Sequence, residues 1–392
     1  MSQQLINRSP DLKKLRDEGY DVEVRSGYLL IKDVPYVNSN KEVKLGILVS
    51  ELKTAGEITV APGNHQAMFV GELPCSKDGV PMEKLVSGGT QRLSPELEVN
   101  HSFSCKLHGG VDYADYYQKM TTYVNIFTSP AQAIDANATA QTFPVIPTDP
   151  DESVFEYVDT ATSRAGIGLP ASKLESKRLA ILGLGGTGSY ILDLVAKTHV
   201  KEIHLFDADR FLTHNAFRAP GAVSRAELET RESKVGHFKE IYSKLHRGII
   251  PHEYDITADN VSELELMDCV FLCMDPGDPK VAVVDHLEDT NITFIDTGMG
   301  VELVEDSLRG MLRVTTSTPT KRDHFRSRVP IAAPTANAEY ERNIQIADLN
   351  AMNACIAVIK WKKLCGFYLD FEREHDSTYV INTNVLDSDD HV

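Results

Sequence analysis

A glycine-rich loop between an apolar segment and a helix limits the folds open to this chain more than any other feature. The apolar segment Leu179–Leu182 has the length of a strand, and Gly183-Leu-Gly185-Gly186-Thr-Gly188 follows it directly. The pattern after the loop predicts a helix from Ser189 to about Thr198. Glycines at this spacing permit a tight turn and let the backbone approach a phosphate, which the helix N-terminus attracts. We therefore predict a nucleotide-binding strand–loop–helix unit, without preference for one nucleotide.

The segments that follow this loop predict the fold of the second half. Apolar strands are predicted at 202–206, 268–273 and 292–295, with helical stretches between them. Strands that alternate with helices favour a parallel sheet covered by helices on both faces. The sequence thus predicts an α/β fold with a Rossmann-like, doubly wound and mostly parallel sheet.

A proline-rich and acidic segment at 144–153 indicates a domain boundary. Its three prolines and three acidic residues cannot continue a helix or a central strand. We predict a smaller, β-rich α+β domain at 1–148 and the nucleotide-binding domain at 149–392. In the first domain, Ser26-Gly27 predicts a hairpin turn between two short strands, and aromatic residues at helical spacing from Tyr113 to Phe127 predict a helix with a buried face.

Two charged segments are predicted to be solvent-exposed. The run Lys321–Arg328 contains several basic residues and is typical of a solvated surface loop. The acidic segment Leu386–Val392 is expected to fray.

Composition restricts the partners and the compartment. The chain has 40 basic and 57 acidic residues, a formal net charge of −17, which argues against a nucleic-acid partner. No run approaches the ~18 apolar residues of a membrane span, and the first residues do not resemble a signal peptide. Six cysteines without a CxxC pair fit a reducing compartment. We expect a cytoplasmic protein that binds neither nucleic acid nor membrane.

Four further motifs follow the glycine loop in a fixed order. They are Asp207-Ala-Asp209 at the end of the second strand, Asn215-Ala-Phe-Arg218, Lys234 before a helix, and Cys273-Met-Asp275 at the end of a third strand. This ordered set resembles the ThiF/MoeB-type adenylyltransferases, the family that includes ubiquitin-activating enzymes. The resemblance covers about residues 158–370, and Asp296-Thr-Gly298 and the helix around Asn350 and Asn353 also resemble family positions.

The resemblance implies ATP and Mg²⁺ and assigns a role to each motif. Joining a carboxylate to AMP brings anions together and releases pyrophosphate, so cations are needed to neutralise the charge. The implied catalytic residues are Arg218, Lys234, Asp275 as the Mg²⁺ ligand, and Arg164, which would reach the ATP site of a partner subunit in a homodimer. The implied nucleotide-binding residues are Gly183, Gly185, Gly186, Gly188, Asp207, Asp209, Asn215 and Lys280.

The chain lacks one glutamine and several cysteines of the family pattern. Ala219 stands where the family has Gln, and the absence of CxxC pairs removes a structural zinc site. Ubiquitin-activating relatives carry a nucleophilic Cys in or near a crossover loop, but residues 297–354 contain none. The cysteines at 269, 273, 355 and 365 lie in apolar segments and are predicted to be core residues. Release of an acyl-adenylate, transfer to a partner, and an ester with a hydroxyl among residues 315–320 all stay open.

The whole chain resembles a bacterial group of ThiF-type proteins with an N-terminal domain of unassigned function, linked to ubiquitin-like conjugation. The segments 101–106 and 115–123 carry this part of the resemblance. It implies adenylation of the C-terminal carboxylate of a small ubiquitin-like protein, with a conjugating enzyme as downstream partner. The alternatives are a sulfur carrier or peptide C-terminus as substrate, an NAD-dependent oxidoreductase, and a non-catalytic nucleotide-binding scaffold. An oxidoreductase leaves Arg218, Lys234 and Asp275 without a task.

Overall fold

The computed structural model describes residues 2–333 and 344–391, which divide into two compact units. The N-terminal unit extends to Ile146 and includes Ser163–Ala165, and the C-terminal unit comprises Pro147–Thr162 and the chain from Gly166. The α-helices are α1 (Ser2–Arg8), α2 (Pro10–Asp17), α3 (Tyr116–Gln132), α4 (Thr160–Arg164), α5 (Gly168–Ser172), α6 (Gly186–Val195), α7 (Thr213–Ala216), α8 (Arg225–Thr230), α9 (Lys234–Tyr242), α10 (Asp278–Glu288), α11 (Phe325–Arg328) and α12 (Ala347–Leu364). The strands are β1 (Val22–Arg25), β2 (Tyr28–Val37), β3 (Val43–Glu51), β4 (Thr54–Ala55), β5 (Ile58–Thr59), β6 (Gln66–Val70), β7 (Val86–Gly88), β8 (Gln91–Ser94), β9 (Leu97–Val99), β10 (His101–Ser104), β11 (Arg178–Leu182), β12 (Glu202–Phe206), β13 (Ile249–His252), β14 (Cys269–Leu272), β15 (Thr293–Val304), β16 (Ser307–Ser317), β17 (Glu374–Val380) and β18 (Val385–His391).

The N-terminal unit contains an antiparallel sheet in the order β1-β2-β3-β6-β10-β7. Ser26 and Gly27 have φ angles of 52° and 81°, so both turn residues are left-handed, and the predicted hairpin between β1 and β2 is confirmed. Helix α3 packs against β2. It begins at Tyr116 because the Asp115 side chain accepts a hydrogen bond from the Gln118 amide. Its predicted aromatic face is buried in the core of this unit.

The C-terminal unit contains an eight-stranded sheet in the order β13-β12-β11-β14-β15-β16-β17-β18. The first five strands are parallel and follow the 3-2-1-4-5 order of a Rossmann-type sheet, which confirms the predicted fold class. Strands β16 to β18 add an antiparallel edge that the sequence did not predict.

Helices cover both faces of this sheet, as a doubly wound fold requires. Residues of β11 alternate between two apolar cores: Leu179 and Ile181 pack on the face that carries α6 and α12. Ala180 and Leu182 pack on the face that carries α10 and α11. This alternation arises because successive side chains of a strand point to opposite faces. Among the described helices, none combines the length and the apolar character that crossing a bilayer requires.

The C-terminal acidic segment is ordered, so the prediction that it frays is wrong. Strand β18 forms backbone hydrogen bonds with β17 over its length. Arg328 binds Asp389 and Asp390 at 2.8 and 2.9 Å. Pairing with β17 and the contacts with Arg328 therefore place residues 386–391 in a strand, although nearly all of them remain exposed.

The prediction of a solvated loop at Lys321–Arg328 is wrong in part. Asp323 and 326–328 are exposed, but α11 begins at Phe325, and Arg322 binds the end of α10 and the residues before β15. The Arg322 guanidinium donates hydrogen bonds of 2.8, 2.9 and 2.9 Å to the carbonyl groups of Leu287, Thr290 and Ile292. It also lies over the ring of Phe294, 5.3 Å from its centroid. A cation is favoured at the C-terminus of a helix, where carbonyl groups lack helical partners.

We predict that Arg322→Met destabilises the C-terminal unit by about 2–4 kcal/mol, since it leaves three carbonyl groups without a charged donor. The measurement is urea unfolding followed by the fluorescence of Trp361. This is the single tryptophan, and it lies in the core of that unit. Lys321→Met is the matched control, because Lys321 contacts only the exposed Asp323 among the ion pairs of the described residues. Equal unfolding midpoints for the two variants would contradict a structural role for Arg322.

Candidate functional site

A cleft of about 490 Å³ lies at the carboxyl ends of the parallel strands of the C-terminal unit. This is the usual binding position in open α/β sheets. Four residues with predicted roles line it, namely Gly185, Gly186, Asp275 and Lys280. The other predicted residues of this unit do not line the cleft in the described part of the chain, although several bind its walls.

Two glycines of the loop allow α6 to pack directly on the end of β11. Gly183 has a φ of 92°, and a side chain there would collide with the carbonyl group of Cys273. A side chain at Gly188 would overlap the carbonyl oxygen of Gly183. These two positions therefore bring the helix to the strand and aim its N-terminus at the cleft.

The other two glycines lie at the floor of the cleft. A side chain at Gly186 would collide with the Asn350 amide group, which accepts a 3.0 Å hydrogen bond from the Thr187 hydroxyl. Gly185 differs, because the nearest atom to an added methyl group is Gln345 Oε1 at 4.0 Å. The backbone at Gly185 is thus open to a ligand at the N-terminus of α6.

Asp207 and Lys234 form a buried ion pair beside the loop. The Asp207 carboxylate accepts hydrogen bonds from the backbone amides of Leu184, at 2.6 Å, and Asp209, at 2.9 Å. Lys234 Nζ lies 3.1 Å from Asp207 and 2.7 Å from Asp209. The three residues predicted from the motif are therefore brought together. Asp207 holds the glycine loop by its backbone, and the exposed Asp209 carboxylate faces solvent.

Asn215 lies in α7, and Arg218 follows two residues after the end of this helix. Asn215 is buried, and its side-chain oxygen accepts a 2.9 Å hydrogen bond from the Leu212 amide. The Asn215 amide nitrogen and Arg218 Nε are buried and find no hydrogen-bond partner within the described chain. The Arg218 carbonyl accepts a 3.4 Å hydrogen bond from Asn350, which links it to the glycine loop. Buried donors without partners are uncommon, and such donors are suited to a ligand.

The third wall of the cleft holds a carboxylate between two cations. Asp296 is 0% exposed, and Lys280 Nζ lies 2.5 Å from it. Arg313 forms a second ion pair with the same carboxylate. Lys280 and Arg313 thus share this one carboxylate, and the buried carboxylate of Asp376 also lines the cleft. The two cations can attract a substrate anion where burial weakens screening.

Sequence analysis missed Arg313, because its signal lies in the pairing of two strands. Gly298 is directly opposite Arg313 in the β15–β16 register, and a side chain at 298 would collide with the guanidinium. The glycine therefore makes room for Arg313 to reach Asp296. No motif within β16 marks this position.

Asp275 follows β14 and presents an exposed carboxylate at the cleft. Within the described ranges, no three His, Cys, Asp or Glu residues are grouped to hold a metal ion. A site with a single carboxylate fits Mg²⁺, which takes few protein ligands and keeps phosphate oxygens and water.

Arg164 lies in α4 and belongs by its contacts to the N-terminal unit. Its guanidinium is 5.5 Å from the centre of the Phe143 ring. The cleft described above does not include it among the described lining residues. Its role in a partner subunit stays a prediction.

Three of the four thiols of the C-terminal unit have a raised pKa, which makes them unsuited to nucleophilic catalysis. The fourth, Cys355, is exposed. Burial raises the pKa of Cys273, which lines the cleft, to about 12, and that of Cys365 to about 11. Burial also raises the pKa of Cys269 well above its usual value. Cys355 is exposed on α12, so the prediction that it is a core residue is wrong. Residues 334–343 of the crossover segment lie outside the described residues.

Comparison with known families covers nearly the whole chain with two matches. The ThiF family matches residues 161–388, and a domain of unknown function, DUF6791, matches residues 10–160. Ubiquitin-like modifier-activating enzyme 5 of Drosophila mojavensis is 24% identical over 164 residues, which are 38% of this chain and 40% of that protein. The Caenorhabditis elegans enzyme of the same name is 21% identical over 159 residues, 38% of each chain. The chain thus spans about two fifths of the length of these curated relatives.

Solved structures of low sequence identity resemble part of the chain. The crystal structure of E. coli MccB with succinimide has a TM-score of 0.46 and 16% identity, covering 59% of this chain and 71% of that chain. The E. coli tRNA N6-threonylcarbamoyladenosine dehydratase TcdA in complex with AMP has a TM-score of 0.40 and 17% identity, covering 53% of this chain and 96% of that chain.

We predict that iodoacetamide at pH 7.5 modifies Cys355 much faster than Cys273. A thiol with a pKa of about 12 is almost entirely protonated at this pH, and the thiolate is the reactive form. Mass spectrometry of peptides after timed quenching measures both rates, and protein unfolded in urea is the control in which the rates converge. Faster modification of Cys273 in the folded protein would contradict the assignment of Cys273 as an inert residue.

Proposed function

The chain belongs to the ThiF family, and from this premise we propose that it uses ATP to adenylate the C-terminal carboxylate of a small protein, releasing pyrophosphate. The observation that carries the proposal is that one cleft contains three features suited to adenylation. These are an open glycine at the N-terminus of α6, an exposed carboxylate at Asp275, and two cations, Lys280 and Arg313, that are held by the single carboxylate of Asp296.

The glycine side of the cleft would bind the nucleotide. Gly185 leaves room for phosphate oxygens, and the ten-residue helix α6 directs its N-terminal amides toward them. Asn215 and Arg218 have buried donors without partners but lie outside the described lining of the cleft, so their contact with the nucleotide is proposed from the motif. Asp207 and Lys234 would fix the loop by their ion pair, and Asp209 would reach the ribose from its exposed position.

The charged wall would lower the barrier to the transfer step. An oxygen of the substrate carboxylate attacks the α-phosphorus, the new P–O bond forms, and the bond to the bridging oxygen breaks. Negative charge then accumulates on the departing pyrophosphate. Lys280 and Arg313 would stabilise this charge, and Asp296 holds both cations in place before the reaction begins.

Mg²⁺ bound at Asp275 would neutralise phosphate charge, as metal ions do in phosphoryl transfer. Asp275 would hold this ion, because its exposed carboxylate lies at the cleft and Mg²⁺ takes few protein ligands.

We favour a ubiquitin-like protein as the substrate, in the first step of a bacterial conjugation pathway. The matches to ubiquitin-like modifier-activating enzyme 5 support this choice over part of the chain. A sulfur carrier or a peptide C-terminus is the alternative, and MccB has been crystallised with the peptide MccA. Because burial raises the pKa of Cys273, the cysteine in the described lining of the cleft, to about 12, the acyl group would pass to a nucleophile on a partner. The N-terminal unit would recruit that partner, a conjugating enzyme.

We predict that Asp275→Asn lowers ATP–pyrophosphate exchange by about 100-fold or more, because it removes the metal-binding charge while keeping the side-chain shape. The assay uses the full chain, Mg²⁺, and the small proteins encoded beside its gene, each with a free or an amidated C-terminus. Exchange should require one of these proteins with its carboxylate free. Asp278→Asn is the matched control, since this exposed residue begins α10 outside the described lining of the cleft.

Two outcomes would contradict adenylation. One is ATP binding without exchange for any candidate, which favours a scaffold. The other is tighter binding of NAD than of ATP, which favours an oxidoreductase.

We predict that mixing the inactive variants Arg164→Ala and Lys234→Ala restores about a quarter of the activity, if each site takes Arg164 from its partner in a homodimer. Half of the randomly reassorted dimers would be mixed, and each mixed dimer would contain one intact site. Pyrophosphate exchange after co-refolding or co-expression measures the recovery, and size-exclusion chromatography establishes the dimer. Activity that stays at the level of the separate variants would contradict a shared site.

A further inference from the structure

A second cleft, of about 290 Å³, lies in the C-terminal unit between the paired strands β16 and β17 and the C-terminal half of α12. Its lining includes the hydroxyl groups of Thr316, Thr318 and Thr320, together with Lys360, Lys363 and Glu374. None of these residues has a task in the adenylation proposed above. The cleft is therefore a candidate for a separate ligand.

Basic groups outnumber acidic groups around this cleft. Lys360 is buried, with Nζ 3.1 Å from Glu374 Oε1, and Lys363 Nζ lies 2.7 Å from the same oxygen. Lys363 also lies 3.4 Å from Asp370, and the exposed Arg373 lines the rim. Three cations thus face two carboxylates, which favours an anionic ligand. Each ammonium group has three donors, and these contacts leave one on each lysine for a ligand.

Two buried polar atoms at the cleft find no partner within the described residues. They are the hydroxyl oxygen of Thr316, a residue that is 1% exposed, and Oε2 of Glu374, whose side chain is 9% exposed. Burial favours the protonated acid at Glu374, but hydrogen bonds from Lys363 and Lys360 prevail and lower its pKa to about 2. The carboxylate is ionised, so its free oxygen can only accept a hydrogen bond.

His375 does not compete for the ligand. Its Nδ1 lies 3.0 Å from the Arg373 carbonyl, and its Nε2 lies 3.3 Å from the Thr318 hydroxyl. Nδ1 therefore carries the proton, and Nε2 accepts from Thr318. The ligand is left with the lysines, the hydroxyl groups and the free oxygen of Glu374.

We propose that this second cleft binds hydrogen phosphate. The unprotonated oxygens of the ligand would accept from Lys360, Lys363 and Thr316, and its remaining hydroxyl group would donate to Glu374 Oε2. Sulfate has the same shape but carries no proton at neutral pH, so it would place an anionic oxygen against the Glu374 oxygen. A phosphomonoester, whose second pKa is about 6, has also lost its proton at pH 7.5.

Isothermal titration calorimetry of the full chain at pH 7.5 tests the site with inorganic phosphate, sulfate and phenyl phosphate. We expect one phosphate site and at least about 10-fold weaker binding of the other two anions, because both lack the donor for Glu374. Thr316→Val, which keeps the side-chain shape, should weaken phosphate binding by about 10-fold. Thr198→Val is the matched control, since this buried threonine binds only the Val195 carbonyl among the described residues and should leave phosphate affinity unchanged.

Four results would overturn the proposal: no phosphate binding, equal affinity for sulfate, equal affinity for phenyl phosphate, or unchanged phosphate affinity in Thr316→Val. Loss of the signal in Gly185→Ala, with retention in Thr316→Val, would assign phosphate to the first cleft and also overturn it. Trp361 fluorescence checks that each variant is folded, and Lys363→Gln replaces Thr316→Val if the latter is not. ATP–pyrophosphate exchange is measured separately. Failure of the phosphate site is therefore distinguishable from failure of the proposed adenylation.

Discussion

The contact between the two glycines at the ends of the loop determines the geometry of the site. Because Gly188 has no side chain, the first turn of α6 lies against the carbonyl group of Gly183, which itself lies against Cys273 on the neighbouring strand. The end of β11, the start of α6 and the residue that follows β14 therefore lie close together. The N-terminus of α6, the open backbone at Gly185 and the carboxylate after β14 all face one cleft as a result. A methyl group at either end of the loop would separate them.

Buried carboxylates then organise the cations around this cleft. Asp207 binds the loop amide of Leu184 and the ammonium group of Lys234, so it joins the glycine loop to the start of α9. Asp296 joins Lys280 on α10 to Arg313 on β16. Each carboxylate is buried, and its loss would leave uncompensated charge in a weakly screened environment. The same pairs that stabilise the fold thus hold the charges in place before a substrate arrives.

The features that point to a function lie in the C-terminal unit. The C-terminal unit carries the family match, the cleft and the ordered motifs, and it also contains a second polar cleft unrelated to them. The N-terminal unit contains an antiparallel sheet and an aromatic core formed with α3, and its fold accounts for the aromatic spacing that first identified the helix.

The sequence by itself determined the parts of the structure that depend on local chain geometry. The glycine loop and the mostly parallel, doubly wound sheet follow from short segments in which strands alternate with helices. The ordered motifs also marked Asp207, Asp209 and Lys234 as residues of the site, and the structure brings them into contact. Only the tertiary structure brought Arg313 to Asp296, because their contact depends on the register of β15 against β16. It also decided that Arg322 binds carbonyl groups, that the acidic C-terminal segment pairs in the sheet, and that Cys355 faces solvent. Composition gives the polarity of a segment, whereas its burial depends on partners distant in the sequence, and no local pattern encodes them.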